Sequence, residues 1–169
     1  MARRILVAYA TKHGSTQEVA EGIAVTLGAG GADVDCVPAH VVETLEPYDA
    51  VVLGGALYTG RLHKEARRFL EQHRTALAGL PFAVFALGPQ DLAPQKVADS
   101  RTQLDRALAR FSDLRPESVA IFGGVVEPAK LSFPLNRMPA SDARDWHAID
   151  AWAEELSGIF ASRAAARRG

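Results

Sequence analysis

The residues of this chain best placed to do chemistry are Thr11, Ser15 and Thr16, which surround Gly14 in the segment Thr11-Lys12-His13-Gly14-Ser15-Thr16. An apolar strand-like run at residues 5–9 leads into this segment and a helical pattern leaves it. The first turn of a helix leaves backbone N–H groups unpaired and carries partial positive charge, so it stabilises a dianion without a metal. Three short hydroxyls add donors, and Gly14 removes the Cβ that would hold the anion away. The missing residues narrow the chemistry. A nucleoside-triphosphate loop needs two glycines followed by Lys-Ser/Thr, whereas Lys12 precedes the single glycine. The G-x-G-x-x-G dinucleotide pattern is absent from this turn, and so is a cysteine nucleophile, because the only cysteine is Cys36. The expectation is a loop that holds a phosphate monoester without attacking it.

A chain of 169 residues with 48% hydrophobic content suits one domain over residues 1–169, ending in a basic tail at about 163–169. A net charge of -1 gives no electrostatic case for a nucleic-acid partner. One cysteine leaves no internal disulfide or cysteine metal site, and no metal is expected. No apolar run approaches the ~20 residues of a membrane span, so a soluble, cytoplasmic protein is expected.

Strand-length apolar runs alternate with helical periodicity, as β-α-β units around a parallel sheet require. Residues 5–9, 50–53, 82–87 and 119–122 are nearly continuous apolar strands, and residues 34–37 alternate as an edge strand would. Val19, Ile23 and Leu27 share one helix face, and Val97, Leu104, Leu108 and Phe111 another. A last helix aligns Trp146, Ile149, Ala153, Leu156 and Phe160, with Trp146 expected in the core and Ser141 or Asp142 as its cap. Cys36 reads as a small buried side chain, and Asp33 and Asp35 as solvated. Right-handed crossovers bring the loops at residues 11–16, 54–60 and 88–91 to one sheet edge, where ligands bind.

These loops resemble those of the flavodoxin family, whose first loop is often T-x-T-G-x-T. In this chain His13 stands at the third position. The resemblance covers essentially the whole chain. It implies a flavodoxin-like doubly wound, five-stranded parallel α/β sheet with strand order 2-1-3-4-5 and helices on both faces, and FMN as cofactor. The FMN phosphate then falls to Thr11, Lys12, His13, Gly14, Ser15 and Thr16. The ring falls to Ala56, Leu57, Tyr58, Thr59 and Gly60, and to Gly88, Pro89, Gln90 and Asp91, with Tyr58 as the stacking side chain and backbone groups of the third loop at the pyrimidine end.

Within the family, Gly55-Ala56-Leu57-Tyr58-Thr59-Gly60-Arg61-Leu62-His63 resembles the second flavin loop of the menaquinone-dependent protoporphyrinogen oxidase branch. Gly123-Gly124 and Asp145-Trp146 resemble its C-terminal region. That likeness implies an FMN-dependent oxidoreductase moving electrons or hydride from a small organic substrate to a quinone-type acceptor. Residues 127–139, with three prolines, look shortened against that branch. Leu131, Phe133, Leu135 and Met138 there suit either a protein or peripheral membrane contact or a lid packed on the domain.

Arg61 and His63 are the candidate catalytic residues, Arg61 for a substrate carboxylate and His63 for a proton. The plain alternatives are an ordinary helix-start residue for His63, and similarly for Arg61, and a loop donor or solvated side chain for His13. Reduced FMN is anionic, and Arg61, His63, Lys64, Arg67 and Arg68 crowd just after the ring loop. A cation a few ångströms away contributes on the order of a few kcal/mol at an effective dielectric near 20, which raises the flavin potential. Near-neutral charge and this basic flank favour the oxidoreductase over the second reading, an acidic low-potential electron carrier between protein partners.

Overall fold

The computed structural model describes residues 2–168. Gly169 at the end of the basic tail lies outside the described residues, as do the side chains of Arg168 and Leu135.

Five parallel strands form the sheet: β1 (Arg4–Ala10), β2 (Asp33–Pro38), β3 (Ala50–Tyr58), β5 (Phe82–Leu87) and β6 (Ser118–Phe122), with a two-residue β4 (Arg61–Leu62) hairpinned onto β3. Their order is β2-β1-β3-β5-β6, which is 2-1-3-4-5 when only the long strands are counted. Every side chain of β5 and all but Arg4 of β1 are buried, as strands covered on both faces demand. Alternate residues serve the two faces. Ile5, Val7 and Tyr9 pack with α1 (Ser15–Ala29) and α5 (Trp146–Arg168), while Leu6, Ala8 and Ala10 pack toward α2 (Lys64–Gln72) and α4 (Pro94–Ala109). A five-residue helix, α3 (Arg74–Ala78), follows α2.

Helix α1 stops at Gly30 and Gly31, and Gly31 has φ 97°. Val19, Ile23 and Leu27 are its buried face; Leu104 is buried on α4, whereas Phe111 is buried in the turn that follows the helix rather than on its face. Cys36 is half-buried in edge strand β2, and burial pushes its thiol up to about 11. Asp35 is not merely solvated, because it accepts hydrogen bonds from Arg4 and from the Tyr48 hydroxyl at 2.8 Å.

Three expectations need correction. Trp146 is 40% exposed rather than core; it lies against Gly22 and under the Arg144 guanidinium, 5.2 Å from the ring centroid. The buried tryptophan is Trp152, edge-on to Phe85 and Phe122, with its indole N–H donating to Ser118 Oγ at 2.9 Å. The cap of α5 is Asp145, whose Oδ1 accepts from the Ala148 amide, while Ser141 and Asp142 form β8 (Ser141–Asp142) paired with β7 (Val125–Val126). Lastly, residues 54–58 are strand rather than loop. Gly54 and Gly55 sit in register between β1 and β5, so ladder hydrogen bonds on both sides outweigh their low strand propensity.

Candidate functional site

Extending β3 changes what the second loop is. Leu57 pairs with Leu62 and Tyr58 with Arg61, leaving Thr59 and Gly60 as a two-residue turn with φ 48° and 78°. Two left-handed residues in succession match the turn that fits the right-handed twist of a hairpin. Ala56, Leu57 and Tyr58 are therefore presented by sheet, and only Thr59 and Gly60 by a turn.

The first loop lies beside this hairpin. Gly14 precedes α1 in the left-handed conformation, φ 92°, with open space where a Cβ would stand. Its N–H donates to Thr11 Oγ1 at 2.9 Å, so Thr11 both shapes the loop and keeps its hydroxyl hydrogen free. Thr16 is 0% exposed, and its hydroxyl oxygen has no hydrogen-bond partner. An orphaned buried hydroxyl in the first turn of a helix that starts from an open left-handed glycine is what a bound oxyanion would satisfy. The residues present thus fit a phosphate.

Tyr58 joins the two loops. It is half-buried, its hydroxyl pKa raised by burial and pulled back by the Lys12 backbone amide beside it. His13 stands edge-on to it at 6.3 Å and His63 at 6.1 Å, so the first loop brings His13 onto an aromatic row with Tyr58 and His63 of the hairpin region. His63 caps α2 by accepting the Glu65 N–H on Nδ1 at 3.1 Å. Burial lowers its pKa, so near neutrality the ring is uncharged with its proton on Nε2.

The third loop is fixed by close backbone packing. A Cβ at Gly88 would meet Ser100 Oγ at 2.7 Å and Leu57 Cδ1 at 3.2 Å. The Pro89 carbonyl accepts the Gly124 N–H at 2.8 Å. Asp91 is occupied locally, Oδ1 accepting from the Ala93 amide and Oδ2 from Lys96 Nζ, which holds its carboxyl below the usual range. Between the second and third loops opens a cleft of about 340 Å3, lined by Leu57, Thr59, Gly60, Gly88, Pro89 and Gln90 and floored by Lys96, Asp99, Ser100 and Gln103 of α4.

Residues 127–139 return over the first loop. Lys130 Nζ reaches the His13 carbonyl at 3.4 Å and Glu127 at 2.9 Å, and a small pocket lies between His13, Ser15, Val125, Glu127 and Leu131. This part of the segment packs on the domain, while Phe133 beyond it is 70% exposed. Ser100, Gln103 and Lys130 were not singled out in the sequence. They belong to no motif and arrive through helix α4 and the return of a loop.

A parallel sheet of order 2-1-3-4-5 between two helical layers is the flavodoxin fold, and the chain belongs to the flavodoxin domain family, whose model matches residues 6–138. In sequence it is similar to protoporphyrinogen IX dehydrogenase [quinone] of Escherichia coli K12, 27% identical over 125 residues that cover 73% of this chain and 69% of that protein. In structure it is similar to oxidised flavodoxin 2 from Bacillus cereus, with a TM-score of 0.57, 24% identity and coverage of 95% and 99%. A flavodoxin from the domain Archaea gives 0.60 at 12% identity, covering 93% of this chain and 98% of that one. Among the described residues, no helix is long and apolar enough to cross a membrane, and no cluster of three potential metal ligands occurs.

Proposed function

We propose that this protein is an FMN-dependent oxidoreductase that takes reducing equivalents from a small organic substrate and passes them to a quinone-type acceptor. The carrying observation is the orphaned hydroxyl of Thr16 in the first turn of α1. Thr11, Ser15, Thr16 and the opening amides of the helix would hold the phosphate, with Lys12 and His13 flanking it. Ala56, Leu57, Tyr58, Thr59 and Gly60 on one side and Gly88, Pro89, Gln90 and Asp91 on the other would hold the ring. Bound FMN supplies a centre that accepts a hydride or electron pair from one molecule and releases it to another.

The chain's own residues do the rest. Thr59 and Gly60 of the hairpin turn and Gly88, Pro89 and Gln90 of the third loop line the two sides of the cleft. His63, neutral and donating from Nε2 beside Tyr58, is placed to hold a proton at the edge of the site. The similarity to a quinone-linked protoporphyrinogen dehydrogenase supports the substrate pair. The balanced charge supports it over an acidic low-potential carrier.

Purified chain is titrated with FMN and followed by visible absorbance, then reduced anaerobically, then assayed with protoporphyrinogen and a menaquinone analogue. Tight FMN binding, two-electron reduction near quinone potentials and turnover are expected. Protein that stays colourless in excess FMN would overturn the cofactor assignment. One-electron cycling at very low potential without turnover would instead establish the carrier.

A further inference from the structure

Beside the cleft lies a second concavity of about 180 Å3, lined by Gly60, Arg61, Leu62, Arg67, Gln103, Arg106, Ala107 and Arg110. Four of these eight residues are arginines, brought from β4, α2 and the C-terminal turn of α4. No carboxylate lines it, and among the described residues none of the four arginines forms an ion pair. Elsewhere on the same helix the cations are neutralised, Arg101 by Asp105 at 2.9 Å and Lys96 by Asp91. Arg67 is anchored through Nε to the Leu62 carbonyl at 3.0 Å, which leaves its terminal amino groups to face a ligand. Arg106 and Arg110 also suit a helix C-terminus, but that role needs neither Arg61 nor Arg67. Like charges gathered around one hollow repel one another until an anion joins them, and the guanidinium fork matches a carboxylate in two parallel hydrogen bonds.

The hollow adjoins the cleft, with Gly60 and Gln103 lining both. We infer that Arg61, Arg67, Arg106 and Arg110 form an acid-binding subsite that takes the paired carboxylates of an organic substrate, whose body then extends past Gly60 and Gln103 to the mouth of the cleft, against the outer edge of the ring that the cleft would hold. The inference deepens the function proposed above and takes from it only the place of the ring in the cleft. The subsite lies on the α2 and α4 side of the sheet, away from the first loop, so it is separate from the phosphate cradle. An acidic protein segment is the competing occupant. A charged hollow directly beside a cleft lined by Leu57 and Pro89 favours a small molecule with a charged end and an apolar body.

The test uses the full chain, first without flavin and then with FMN. The probe is mesoporphyrin, a fluorescent tetrapyrrole with two propionates, compared with its dimethyl ester. Binding of the diacid at least tenfold tighter than the ester is expected. The double variant R106Q/R110Q, at two exposed positions, should weaken diacid binding at least tenfold while FMN affinity stays within twofold of the parent. R101Q, on the same helix but outside the hollow, should bind the diacid as the parent does. Equal binding of diacid and ester, or unchanged binding by R106Q/R110Q, would overturn the subsite. A pyrophosphate or polyglutamate peptide that binds through Arg106 and Arg110 where mesoporphyrin does not would overturn it in favour of a phosphorylated or protein ligand. Diacid binding that survives in a chain unable to take FMN would uphold the subsite and sink the flavin reading alone.

Discussion

Replacing Thr16 by valine exchanges a hydroxyl for a methyl of nearly the same shape, at a residue with 0% exposure and an unpartnered oxygen. In the flavin-free protein that oxygen has lost water and gained nothing, a state that costs about 1–3 kcal/mol for a buried polar group. Valine removes the cost and keeps the packing, so flavin-free T16V is expected to be more stable than the parent by about 1–2 kcal/mol. For a chain of this length that corresponds to about 2–8 °C in Tm. The effect on FMN has the opposite sign. A hydrogen bond to a charged acceptor contributes about 1.5–3 kcal/mol, so its loss weakens FMN binding by about 10- to 150-fold. Thermal unfolding with and without FMN, together with a fluorescence titration, measures both. The reasoning is refuted if T16V lowers the Tm of flavin-free protein, because the hydroxyl would then have a partner, or if FMN affinity is unchanged, because it would then not be a ligand.

Gly54→Ala places a Cβ 2.1 Å from the Phe85 ring; it should destabilise by about 2–3 kcal/mol in urea unfolding, and Phe85→Leu in the same chain should recover part of that loss. No recovery would mean the clash is not with that ring. His63 and His73 both have pKa values lowered by burial, so the folded state resists their protonation. Stability from them is complete above about pH 6.5 and is lost as pH falls through their folded values, so denaturation midpoints should decline from pH 7 to 5.5 and the NMR titration of both rings should centre below 6.5. A midpoint above 6.5 for either ring would contradict its burial. Arg144 holds Asp142 at 2.8 Å and Glu18 on α1, and its side chain is only 10% exposed. Arg144→Met should loosen the start of α5 and lower Tm. Asp142, whose carboxyl is held below its ordinary range by this pair, contributes stability above about pH 4 that disappears on acidification, and the variant should lose that part of the acid sensitivity. An unchanged acid profile would show that the pair contributes nothing measurable.

The sheet and its helices were legible because burial imposes a period on the residues that undergo it. Ile5, Val7, Val52, Val84 and Phe85 had to be apolar wherever they lay, and Val19, Ile23 and Leu27 had to recur at helical spacing. The hydroxyl loop was legible because a helix opening with Gly14, Ser15 and Thr16 is a local device whose residues act on their own backbone. Glycine misled where local propensity met the ladder. Gly54 and Gly55 read as loop, yet neighbouring strands on both sides supply their hydrogen bonds. Trp146 misled in the other direction, because its place on the apolar stripe fixed its face and not its depth at the open end of α5.

Periodicity along the chain was thus enough to give the strands, the helices and the composition of both cores, while the strand order came from the likeness to a family. Only the tertiary structure decided which of those residues meet. The approach of His13 to Tyr58 and His63, the isolation of the Thr16 hydroxyl and the meeting of Arg61 and Arg67 with Arg106 and Arg110 depend on loops and helices far apart in sequence. The physical reason is that desolvation and charge proximity are properties of distances between elements, and no run of neighbouring residues encodes a distance to a helix forty positions away.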